Sequence, residues 1–112
     1  MKYYSTNKKS EDLSFKEAVI RGLAPDNGLY FPERIEKLPE GLIGSGKSIE
    51  ELGFEVAKRF VDGEIPDADL ERIVSETVNF PLPIVEVEKD VFSLELWHGP
   101  TCAFKDVGGR FL

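Results

Sequence analysis

The sequence predicts an α/β fold, and three observations carry that expectation. Apolar residues recur at a helical period behind Ser-x-x-Glu starts at Ser14 and Ser48. Two runs rich in β-branched and apolar residues, 84–87 and 91–96, flank a short charged turn. Proline falls between these stretches rather than inside them, until a Gly-Pro pair at 99–100 leads into a last segment.

Taken in order, Lys2 to Ser5 form a short β-prone start. Ser14 and Glu17 stand at capping-box spacing, Phe15, Ala18 and Val19 share one helical face, and Gly22 suits the residue after the helix. Pro25, Asp26, Asn27 and Gly28 are turn chemistry ahead of the aromatic pair Tyr30 and Phe31. A second helix opens at Ser48 with Glu51 in the box. Its face runs through Ile49, Leu52, Val56, Ala57 and Phe60, and Gly63 ends it. A third helix follows Pro66, with Asp67 expected as N-cap and Leu70, Ile73, Val74 and Thr77 as the buried stripe. Pro81 and Pro83 then force an extended connector. The strands follow, joined by Glu88, Lys89 and Asp90, and a final helix is expected from Thr101. That helix has weak support of its own, because Gly108 and Gly109 each cost about 1 kcal/mol relative to alanine. Phe54, Phe60, Phe80 and the paired strands are the expected apolar mass of a small core.

Composition narrows the partners. The chain has 112 residues, 41% of them hydrophobic and 31% charged, an ordinary globular balance. Its 21 acidic residues outweigh 14 basic ones, for a net charge of −7, which argues against nucleic acid or an anionic membrane as partner. Cys102 is the only cysteine, so no internal disulfide forms, which suits a reducing compartment. The polar, lysine-bearing start lacks the apolar run of a signal peptide, and cytoplasm is the expected location.

Gly41 to Ser48 satisfies the G-x-x-x-x-G-K-S pattern of a phosphate-cradling P-loop. Such a loop works by following a buried strand into a helix, so that its amides converge on phosphate. Here residues 33–40 are charged and sit between Pro32 and Pro39, which leaves no buried strand to enter it. The expectation is an exposed loop before a capped helix, with a nucleotide-binding module as the alternative.

The segment Leu96 to Asp106 holds the other candidate. A strand end, a Gly-Pro turn and a threonine N-cap place Lys105 in the first turn of a helix. The positive end of a helix disfavours a cation, and the same field favours the neutral, nucleophilic amine. Of its neighbours, Asp106 suits the helix start, Phe104 reads as a core anchor and Cys102 as a small buried residue. His98 has no second histidine or acid at metal-ligand spacing, so no metal is expected.

This segment resembles the cofactor-lysine motif of threonine synthases, which are fold-type II pyridoxal-phosphate (PLP) enzymes. The resemblance extends through Ser14-Phe15 with Ala18, Gly22-Leu23-Ala24 and Gly28-Leu29-Tyr30-Phe31-Pro32. It continues through Glu64-Ile65-Pro66 and Phe80-Pro81. It departs mildly at Cys102, where the motif often carries a larger apolar residue.

The resemblance implies a small N-terminal helical region with a short strand over residues 1–80. Residues 81–112 would then be the first strands and helix of the PLP-binding catalytic domain. It also implies that Lys105 is both the catalytic and the cofactor-binding residue, its amine holding PLP as an imine. The implied reaction converts O-phosphohomoserine and water to threonine and phosphate, with the cofactor as electron sink and Lys105 moving protons. Members are several times longer, so the remaining C-terminal part of the same enzyme is the implied partner. The cofactor's glycine loop would lie in that part, and the 112 residues alone are expected to be inactive. A non-catalytic relative keeping the same fold is a further alternative.

Overall fold

The computed structural model describes residues 1–111. Its elements run β1 (Tyr3–Ser5), α1 (Phe15–Arg21), β2 (Tyr30–Pro32), α2 (Ile49–Val61), α3 (Asp67–Thr77), β3 (Ile84–Glu88), β4 (Val91–Leu94) and α4 (Asp106–Gly109). β1 pairs antiparallel with β2, Tyr3 opposite Pro32 and Ser5 opposite Tyr30. β3 pairs antiparallel with β4 in a separate hairpin, Ile84 opposite Leu94, with a bulge near Glu88. The mixture of helices and strands is the α/β class expected, but β2 was hidden in the sequence. Three residues are too few to display alternation, and the strand exists because β1 offers it a ladder.

Both capping boxes form. Ser14 Oγ accepts the Glu17 N–H at 3.2 Å while Glu17 accepts the Ser14 N–H at 3.0 Å. Ser48 and Glu51 repeat the exchange at 3.2 and 2.8 Å. The ends of the next elements differ from expectation by one residue each. α2 stops at Val61 with Asp62 in the left-handed C-cap conformation, and Gly63 lies one residue further on. Pro66, not Asp67, is the N-cap of α3, and it offers no side-chain cap. Proline has already set the entry dihedral, so Asp67 becomes the first helical residue and pairs with Lys58 of α2.

The main core is the seam between α2 and α3, where Val61, Leu70, Val74 and Val78 are buried. Gly53 allows the two helices to approach closely, since a Cβ there would lie 2.9 Å from Val74 Cγ1. A second cluster, Tyr3, Leu13 and Ala18, joins the β1–β2 pair to α1, and Phe15 touches both. The Tyr3 hydroxyl donates to the Phe60 carbonyl at 2.7 Å, tying that cluster to α2. Two expectations about the core fail. The β3–β4 hairpin contributes no buried residue, with Ile84, Val87, Phe92 and Leu94 all more than half exposed. Val56 and Ile49, on the predicted face of α2, are also exposed. An apolar face becomes core only where a second apolar face meets it, and α3 covers only part of α2.

Candidate functional site

The backbone leaves β4 at Leu94, and one further bond, from the Glu95 N–H to the Pro83 carbonyl at 2.9 Å, extends the pairing. It then turns at Gly99–Cys102, where the Cys102 N–H donates to the Gly99 carbonyl at 3.1 Å. Cys102 adopts a φ of 56°, a left-handed conformation that costs a non-glycine residue roughly 1 kcal/mol or more. Something must therefore hold this turn in place. That group is Asp106, whose carboxylate accepts the Thr101 N–H at 2.9 Å and the Thr101 hydroxyl at 2.5 Å. Those two bonds hold its pKa below the ordinary carboxylate value, with the Thr101 hydroxyl as the larger cause. Asp106 is only 6% exposed.

The arrangement revises several sequence expectations. Thr101 is not a helix N-cap, because the left-handed turn at Cys102 delays helical geometry until Asp106. Lys105 stands at the N-cap position of α4 rather than inside its first turn. Asp106 does not spend its carboxylate on the helix amides; it reaches back to the loop. Phe104 is 66% exposed instead of anchoring a core, and Cys102 is exposed instead of buried. His98 has an acid partner after all, its Nε2 lying 2.6 Å from Glu95 Oε2. Among the described residues, no three His, Cys, Asp or Glu side chains converge as a metal-binding group would require.

Lys105 is exposed, and among the described residues its ammonium has no hydrogen-bond or ion-pair partner. A primary amine free of carboxylates is what condensation with an aldehyde needs, so the residue fits an aldehyde-bearing cofactor. The helix carrying it is supported from the far side. Val107 and Phe111 pack against the α2–α3 core, and Arg110 reaches Asn79 Oδ1 at 2.6 Å and lies over the Phe80 ring. These anchors supply the support that the two glycines deny the segment. An apolar hollow of about 500 Å³ lies between α2, α3 and α4, bordered by Leu52, Val56, Val74, Val107 and Phe111. Among the described residues of its lining, Thr77 alone has a side-chain hydrogen-bonding group, and none of them is an acid, a base or a histidine.

The P-loop alternative fails on geometry. No strand enters Gly41, and Gly41, Gly44 and Gly46 each have positive φ in an exposed loop. The Ser48 and Glu51 amides are already engaged in the capping box, Glu50 and Glu51 repel anions there, and Lys47 pairs with Glu51 at 3.6 Å.

Comparison with known proteins gives the family. A family model described as "Threonine synthase N terminus" matches residues 2–78. The chain belongs to the threonine synthase family. It is 39% identical over 112 residues to the threonine synthase of Haemophilus influenzae, covering 100% of this chain and 26% of that protein. Against the Escherichia coli threonine synthase the figures are 41% over 117 residues, 100% of this chain and 27% of that protein. The crystal structure of PLP-bound threonine synthase from Brucella melitensis superposes with a TM-score of 0.92 at 42% identity, covering 99% of this chain and 25% of that one. The chain thus spans about a quarter of the length of the threonine synthases it matches.

The threonine synthase resemblance read from the motifs therefore holds along the whole chain. The structure gives a physical reason for one of those motifs. Glu64 of Glu64-Ile65-Pro66 accepts the N–H groups of Phe15 and Lys16 at 2.9 and 3.0 Å, capping α1 from 48 residues away. Nothing local in the sequence signals that contact.

Proposed function

We propose that these residues are the N-terminal part of a threonine synthase that uses PLP to convert O-phosphohomoserine and water to threonine and phosphate. In this reading residues 1–80 form the N-terminal domain and 81–112 begin the PLP-binding domain. The reading is supported by Lys105, an exposed amine without a carboxylate partner among the described residues. It stands in a segment aligned throughout with threonine synthases, one of which is PLP-bound. Lys105 Nζ is the atom assigned to hold the cofactor's aldehyde and to move protons at substrate carbon. When bound, the cofactor supplies an electron sink that makes those carbon–hydrogen bonds acidic enough to break. The chain's own part in this is to present an unpaired amine from a fixed backbone.

The remaining length of the enzyme is the proposed partner, with the small phosphorylated amino acid as substrate and the cytoplasm as location. Among the described residues, no helix is long and apolar enough to cross a membrane. The reading is tested in the full-length protein carrying this segment. Lys105→Ala should remove the visible absorption band of bound cofactor and nearly all turnover. A borohydride-reducible cofactor adduct that survives in the variant would show that another lysine holds it. A non-catalytic relative would instead show neither band nor turnover in the wild type.

A further inference from the structure

We propose that Asp106 is a positioning residue for Lys105, acting through a clamp on Thr101 that fixes where the lysine backbone lies. The proposal rests on the reading of Lys105 as the cofactor-holding amine. Three features of the site lead to it.

The first is direction. Asp106 is the covalent neighbour of Lys105, yet its carboxylate turns away from the ammonium and accepts both the N–H and the hydroxyl of Thr101. Both carboxylate oxygens are engaged by neutral donors, and the acid makes no ion pair with the adjacent amine. The second is fit. Gly99 packs directly on this carboxylate, and a Cβ at that position would lie 2.4 Å from Asp106 Oδ2 and 2.8 Å from Asp106 Cβ. Only glycine lets the turn close over the acid at this distance.

The third is closure on both sides of the lysine. Before Lys105, the clamp holds a turn whose Cys102 has a left-handed φ of 56° that the chain would not adopt unaided. After it, the Lys105 carbonyl accepts the Gly109 N–H at 2.7 Å, and Val107 packs on the α2–α3 core. Lys105 is thus pinned between a polar clamp and an apolar anchor while its side chain stays exposed. Release of the clamp leaves the lysine attached at one side only.

Displacement of about 1 Å at a reacting group costs up to about a hundredfold in rate, which sets the size of the effect. In the full-length enzyme, Asp106→Ala should lower borohydride-fixed PLP on Lys105 by about tenfold or more, measured well below its melting midpoint. Asp106→Asn should retain label within about twofold, because its Oδ1 accepts the Thr101 N–H while its Nδ2 donates to the Thr101 hydroxyl. Rescue by asparagine with unchanged cofactor absorbance separates positioning from loss of fold. Should Asp106→Ala not fold, Thr101→Val removes only the hydroxyl contact and must still lower the Lys105 label severalfold.

Wild-type labelling in Asp106→Ala, or in Thr101→Val where that variant decides, overturns the proposal. So does loss in Asp106→Asn as severe as in alanine, since charge and not contact geometry would then be responsible. Label mapped to another lysine in the wild type overturns the Lys105 assignment and this proposal together. Equal label on Lys105 in wild type and Asp106→Ala overturns the proposal alone.

Discussion

Single polar residues organise both ends of this chain. Near the start, Asp26 accepts the Ser5 hydroxyl at 2.6 Å, the Gly28 N–H at 2.9 Å and the Lys9 N–H at 2.9 Å. With the Ser5 hydroxyl as the main cause, its pKa falls from 3.8 to about 2. The unfolded chain therefore takes up this proton first as pH falls. The stability Asp26 contributes is complete above its unfolded pKa and is lost as pH drops from about 4 through about 2. Urea midpoints measured across that window should fall more steeply for the wild type than for Asp26→Asn. The variant's slope does not vanish, because Glu17, Glu51, Glu64 and Asp106 are shifted the same way. Equal slopes would mean that Asp26 is not a source of acid sensitivity. Gly28 belongs to the same turn, and a Cβ there would lie 2.0 Å from Ser5 Oγ and 2.9 Å from the Asn7 nitrogen. Gly28→Ala should cost on the order of 1–3 kcal/mol by overpacking, read from urea unfolding.

Among the elements, the α2–α3 pair and the β3–β4 hairpin stand at opposite extremes. Leu70 is fully buried in the helical seam at 0% exposure, so Leu70→Ala should cost about 2–5 kcal/mol through lost transfer energy and the cavity left behind. Ser48→Ala should cost about 0.5–2 kcal/mol, since it leaves the Glu51 N–H without its acceptor. In the hairpin, Val87 is 59% exposed and touches no core cluster, so Val87→Thr should change the stability of this chain by under about 0.5 kcal/mol. Chemical denaturation of the three variants checks the contrast. A Val87 effect as large as that of Leu70 would mean that the hairpin folds onto the core in solution.

For the molecule as a whole, shape agrees with that division. A compact chain of this length has a radius of gyration of about 13 Å, whereas this one has 16.3 Å and extents of 47 × 28 × 27 Å. The excess accompanies apolar side chains left in the open, among them Ile84, Phe92 and Trp97. Lys105 itself is exposed, and the apolar hollow nearest its helix does not include it. The 112 residues alone should therefore bind PLP weakly and make no threonine, because no group on the described surface fixes the cofactor beside that amine. Titration with PLP, borohydride reduction and peptide mapping should give substoichiometric label spread over several exposed lysines. Micromolar, stoichiometric label confined to Lys105 would overturn this and point to a site completed by association of chains.

Much of this was legible from residue order alone, because its causes are local. A serine three residues before a glutamate marks a helix start whatever surrounds it, and both boxes formed at Ser14 and Ser48. The stripe Leu70, Val74 and Thr77 is buried because helical period places those residues on one face. The motif around Lys105, with the signatures upstream, was enough to indicate the family. Tertiary structure decided what depends on distant or opposing groups. β2 exists because β1 lies beside it, Glu64 caps α1 across 48 residues, and Phe104 and Cys102 are exposed because nothing here covers them. Most telling is Thr101, a plausible cap by residue type that instead donates to Asp106. Its role turns on a left-handed residue at Cys102, a backbone state that cysteine does not announce and that only the closed turn, held by contacts on either side, makes affordable.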